Sequence, residues 1–139
     1  MPIDAILILR KLKNMEEAME ELTELLKNSD QAMLQDFRNY HTAERLFQLI
    51  VDSMVDINVH IIREMKYKAD EDLQSTFKIL GENGVLSKDF ALKLAPVVGL
   101  RNRIVHRYDS LSRPLFIKVL RQGFLDFKKY ALAIEKIIH

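Results

Sequence analysis

A chain of 139 residues, 48% hydrophobic and 29% charged, is sized for one domain with a real core and excludes a disordered segment. With 21 Lys and Arg against 20 Asp and Glu, the net charge is +1. That excludes the strongly basic field of a bulk duplex-DNA binder and leaves room for a local basic site.

There is no cysteine, so thiol catalysis, thiolate metal sites and disulfides are excluded. Apolar runs such as Ala5–Leu9 and Leu49–Val51 fall far short of the ~20 residues that span a bilayer. The first apolar run precedes Arg10, Lys11 and Lys13, the reverse of a secretory signal. A cytoplasmic protein without membrane contact is the expectation.

The first predicted helix runs from about Asp4, a plausible N-cap after Pro2, to Lys27. Ile8, Leu12, Met15, Met19, Leu22 and Leu26 repeat at spacings of 4 and 3, an apolar seam. Glu16, Glu17, Glu20, Glu21 and Glu24 form the opposite face and read as solvated. Ser29 and Asp30 signal the next start. No Gly or Pro follows until past Lys68, so one long helix is expected, with Met33, Phe37, Tyr40, Phe47, Ile50, Met54, Ile57, Ile61 and Met65 on its seam.

Asp70 to Leu80 is a short amphipathic piece that Gly81 and Gly84 should stop. Ser87 then caps a fourth helix carrying Phe90, Ala91, Leu94 and Leu100. Pro96 cannot donate to the carbonyl of Leu92, so a kink is expected near residues 92–96. The last helix begins near Ser112 or Pro114 and follows Leu115, Val119, Phe127, Tyr130, Ala131, Ile134 and Ile138. No strand-like alternation occurs. Long helices with short connections predict an all-α, up-down four-helix bundle with a short additional helix.

The chemistry concentrates in the string Gly99-Leu100-Arg101-Asn102-Arg103-Ile104-Val105-His106-Arg107-Tyr108-Asp109. Residues 101–113 hold four arginines against Asp109, a local charge of +3, whereas residues 14–30 hold six acids against Lys27, a local charge of −5. Such a focused basic site suits an anionic ligand such as a phosphate. His takes and gives protons near neutrality, Arg is a permanent forked cation that matches phosphate oxygens, and Asn can orient an imidazole. Together they could cleave RNA without a metal, the imidazole activating a 2′-hydroxyl and the guanidinium stabilising phosphoryl charge.

The same residues could instead cap a helix C-terminus, where basic groups offset the dipole. Arg101 and His106 are five apart, ~140° around a regular helix. Three routes could unite them: a wrapped Arg side chain, a helix that ends near residue 105, or a second subunit.

Arg101, four residues, His106, one residue and Tyr108 resemble the R-X4-6-H-X-Y motif of HEPN-domain proteins, and GLRNRIVHRY resembles the HepT branch. Ala43-Glu44-Arg45 and Asp56-Ile57…His60-Ile61 in the long second helix are also similar to that branch. The resemblance covers most of the chain and implies a single HEPN-like helical domain over residues 1–139. It further implies a homodimer with metal-independent RNase activity at paired motifs, Arg101 and His106 being catalytic with Asn102 beside them.

Arg103 and Arg107 would contact phosphate or RNA. Tyr108 would be the position at which a cognate MntA-like nucleotidyltransferase antitoxin attaches AMP. The alternative is a non-catalytic HEPN module that binds a nucleotide or a nucleotidyltransferase. No cofactor is expected. His41, His60, His106 and His139 stand at no metal-ligand spacing, so no metal is expected either. Asp56 and His60 share a helix face and read as a local hydrogen bond. Of the tyrosines that could stack on bases, Tyr40 and Tyr130 read as packing residues. The six methionines read as core filler.

Overall fold

Asp4 opens the first helix as its sequence position suggests. Its carboxylate accepts hydrogen bonds from the amides of Ile6 and Leu7 at 3.1 and 3.2 Å, and α1 spans Ala5–Leu25. The computed structural model describes residues 4–69, 72–106 and 112–138. The α1 seam is buried from Ile8 through Leu22, and its glutamates are exposed. Glu16 lies on that face and faces Glu135. Partial burial and the nearby Glu135 raise its pKa.

The long second helix is divided, contrary to expectation. α2 covers Asp30–Gln35 and α3 covers Phe37–Glu64, with Asp36 between them in an extended conformation. Asp36 caps α3: its carboxylate accepts from the Arg38 amide at 2.9 Å and from the Arg38 guanidinium at 3.2 and 3.1 Å. An aspartate thus interrupts the helix where no Gly or Pro exists, because its side chain offers the backbone an alternative partner. α3 ends at Met65, and Lys66 turns the chain with a φ of 57°.

The short piece is α4, Ser75–Glu82, later than its predicted span. Asp70 lies outside the described residues. Gly84, at φ 78°, ends α4, and Val85 donates back to the Leu80 carbonyl at 2.9 Å. Gly81 does not stop the helix. It lies inside α4 where a Cβ would come within 2.8 Å of Ala91 Cβ, so it permits the close approach of the next helix. Pro96 does more than kink the fourth helix. It separates α5, Lys88–Leu94, from α6, Val97–His106. Ser87 caps α5 through the Phe90 amide at 3.2 Å. α7 spans Arg113–Ile138, and Ser112 accepts from the Leu115 amide at 3.3 Å.

Pairings fix the directions. Lys11 meets Asp56, and Glu16 faces Glu135, so α1 runs against both α3 and α7. Tyr40 contacts Phe116, and Tyr130 bonds to Asn58, so α3 and α7 run together. Gly99 lies beside Gln74 near the Asn58–Thr76 pair, and Arg103 shares a groove with Phe47, so α6 runs against α3.

The result is the expected up-down four-helix bundle, with α5–α6 forming one broken leg and α2 and α4 as short additions. No strand occurs among the described residues. Phe47, Phe77, Phe116, Phe127, Tyr40 and Tyr130 form the aromatic centre of the core, mostly edge to face. Met15, Met19, Met33 and Met54 are buried with them, and Tyr40 and Tyr130 are packing residues as read.

The α7 seam differs over its first half. Phe116, Ile117 and Leu120 face inward, while Leu115 is 54% and Val119 37% exposed. These two line an apolar groove of about 780 Å³ between the α5–α6 junction and α7, with Leu100, Pro96 and Val97 opposite.

Candidate active site

α6 carries the basic motif to the surface. Its apolar side is thin: Val98 is buried, and Leu100 and Ile104 are partly buried. The remaining positions are released to solvent. Asn102, Arg103 and His106 are exposed, and Arg101 is half-buried against α3. The described helix runs to His106, so Arg101 and His106 stand five residues apart on the same helix. Arg103 and His106 occupy its last turn, where cations complement the free carbonyls. Arg107 and Tyr108, both singled out from sequence, lie outside the described residues.

Arg101 is held from an unexpected side. Its Nε donates to Asp52 Oδ1 at 2.8 Å and its Nη2 to Asp52 Oδ2 at 3.4 Å, across from α3. Its Nη1 donates to Asn102 Oδ1 at 3.3 Å, so Asn102 stands beside Arg101 and turns its oxygen toward it. Sequence reasoning missed Asp52. The pair is 49 residues apart, and no spacing rule marks it.

Past His106 the chain returns to α7 at Arg113, whose guanidinium lies 4.5 Å over the Tyr40 ring. Burial, with Glu44 adding to it and Arg113 opposing it, pushes the Tyr40 phenol up to about 12. It is therefore a neutral ring at physiological pH. His41 Nδ1 lies 2.7 Å from Glu44 Oε1 beside it. The start of α3 and the start of α7 thus bring together an arginine, a histidine–glutamate pair and an aromatic ring.

The Asp56–His60 pair does not form. Asp56 accepts from Lys11 Nζ at 3.0 Å, a full cation delivered by α1, and His60 Nε2 is buried without a hydrogen-bond partner among the described residues. Those residues also contain no helix long and apolar enough to cross a membrane.

Arg101, Asn102 and His106 thus lie on one helix of an all-helical bundle. Residues 15–134 match the family model "Ribonuclease HepT-like". The chain is 32% identical over 110 residues to the "tRNA nuclease HepT" of Aphanizomenon flos-aquae, covering 79% of this chain and 75% of that protein. It is 23% identical over 129 residues to the "mRNA nuclease HepT" of Shewanella oneidensis, covering 93% and 96%.

In fold it is similar to the tri-AMPylated HEPN toxin of Shewanella oneidensis, solved in complex with its MNT antitoxin. The TM-score is 0.87 at 22% identity, over 94% of this chain and 97% of that one. The chain belongs to the HepT-like ribonuclease family.

Proposed function

We propose that this chain is the metal-independent endoribonuclease toxin of a toxin–antitoxin pair, acting in the cytoplasm as a two-fold homodimer of single-domain protomers. The observation that carries the reading is the placement of Arg101, Asn102 and His106 on one helix, Asn102 and His106 exposed and Arg101 half-buried against α3, in a chain of this family. His106 takes the proton of a ribose 2′-hydroxyl, the freed oxygen attacks the adjacent phosphorus, the P–O5′ bond breaks, and the imidazolium returns its proton to the departing 5′-oxygen. The products are a 2′,3′-cyclic phosphate and a 5′-hydroxyl. Arg101 stabilises the charge that builds on the phosphoryl oxygens. Arg103 and Arg107 hold neighbouring phosphates.

The dimer answers the angular separation of Arg101 and His106, since a second copy brings its own His106 to the same substrate. The apolar groove with exposed Leu115 and Val119, next to α6, is a surface suited to that contact. Purified protein incubated with RNA and a chelator should cleave it, and light scattering at micromolar concentration should give twice the chain mass. Intact RNA under those conditions overturns the nuclease reading, and a monomer overturns the paired site.

The partner in this reading is a nucleotidyltransferase antitoxin that transfers AMP to Tyr108. A phosphodiester on that hydroxyl, two residues past His106, sets an anion among Arg101, Arg103 and Arg107. They then pair with the tethered phosphate and not with RNA. With ATP and the cognate nucleotidyltransferase, the intact mass should rise by adenylyl units. Tyr108→Phe should block the first addition. An equal mass gain in Tyr108→Phe, or full cleavage by the modified protein, excludes this mechanism.

A further inference from the structure

A guanidinium has five N–H donors. Arg101 uses its Nε and one Nη2 hydrogen on Asp52, and one Nη1 hydrogen on Asn102. Two remain among the described contacts, one on each terminal nitrogen. With one hydrogen left on each terminal nitrogen, the group can still donate to phosphate oxygens.

Asp52 sits in the middle of α3, a rigid element anchored by buried neighbours Val51, Ser53 and Met54. The guanidinium is therefore held along its Nε–Nη2 side by a fixed carboxylate. The contact is partly open: the Arg101 side chain is 25% and the Asp52 side chain 40% exposed, so substrate can approach the same group.

We propose that Asp52 is a positioning residue for the nuclease reaction: it clamps Arg101 from α3 so that the two remaining N–H groups face the scissile phosphate. The inference rests on the nuclease reading above. The carboxylate has two opposed effects. It cancels part of the arginine's charge and so weakens ground-state attraction for RNA. It also removes the rotamer freedom of a long side chain, which favours the geometry needed when charge develops. Losing it should therefore damage turnover without damaging binding, a division that a merely structural ion pair does not produce.

The test compares wild type, Asp52→Asn, Asp52→Glu, Arg101→Ala and the Asp52→Asn/Arg101→Ala double variant by RNA cleavage with kcat and KM resolved. Thermal unfolding confirms that each variant is folded. Asp52→Asn should lose ~10- to 100-fold in kcat with KM unchanged or lower. Asp52→Glu should recover part of the loss. Adding Asp52→Asn to Arg101→Ala should change nothing further, read in single turnover with enzyme in excess.

An Asp52→Asn kcat within about twofold of wild type, or a loss carried wholly by KM, overturns the proposal. So does an equal loss in the Arg101→Ala background. A wild type that cleaves no RNA removes the nuclease reading and leaves the clamp to be judged by 15N-arginine spectra. Arg101 Nε–H should exchange slowly in wild type and rapidly in Asp52→Asn, and added inorganic phosphate should shift the Nη signals while Nε stays protected. An unprotected Nε–H in wild type overturns the clamp by itself.

Discussion

His106→Ala is expected to slow RNA cleavage by about 10²–10⁴-fold, the range for losing one acid–base group. The fold should survive. His106 is exposed in the last turn of α6, and the dipole contribution of a cation there is at most about 1 kcal/mol. Arg101→Ala should fall into a similar range by removing transition-state charge stabilisation. It leaves Asp52 without its guanidinium, but that carboxylate is 40% exposed and water can solvate it. The measurement is single-turnover cleavage of a labelled RNA with metal chelated, alongside thermal unfolding. Cleavage that persists unchanged in His106→Ala would falsify the assignment of this imidazole.

The largest effect on stability should come from Tyr130. Its side chain is fully buried, and burial holds its phenol well above the usual range, so the group is a neutral donor. The hydroxyl lies 2.5 Å from Asn58 Oδ1 and 3.1 Å from the Met54 carbonyl. Asn58 is itself fully buried and donates through Nδ2 to Thr76 Oγ1 at 3.1 Å, which donates onward to the Leu73 carbonyl at 2.7 Å. This relay joins α7, α3 and α4 inside the apolar core.

Tyr130→Phe keeps the ring and strands the Asn58 oxygen, at a cost of about 1–3 kcal/mol. Tyr130→Ala also empties the space beside Phe77 and should cost about 3–5 kcal/mol in total. Urea unfolding, with equal m-values, checks both. Equal destabilisation by the two variants would show that the relay carries the whole effect and the ring none, contrary to this account.

Helix identity was legible wherever capping and periodicity agreed. Asp4, Ser29, Ser87 and Ser112 all cap as their positions suggest. The break at Asp36 is not legible in the sequence, because no Gly or Pro marks it and Asp occurs inside helices as well as before them. On α7, Leu115 and Val119 share the four-residue spacing of Phe116 and Leu120, one position out of phase. Periodicity cannot choose between two adjacent apolar stripes, and here the bulkier one takes the core while the other faces the groove. The motif on α6 was readable as a string, but its support from Asp52 was not. Asp56 drew attention through His60 four residues away, whereas its partner, Lys11, comes from another helix 45 residues back. Short-range rules find neighbours along one helix and are silent about which charges the fold brings across.

Arg121 reaches back 91 residues to Asp30 at 2.8 Å, and its other nitrogens donate to the carbonyls of Leu26 and Asn28, also at 2.8 Å. The end of α1 is therefore fastened by a side chain made 91 residues after its partner Asp30. α1 and α3 can pair as soon as both have left the ribosome. Tyr40 and Phe47 still lack Phe116, and Asn58 still lacks Tyr130, until α7 follows. The helix bearing Arg101 and His106 thus emerges before the bundle beneath it is closed. A nascent chain carries Arg101 and His106 before it has a rigid scaffold to hold them.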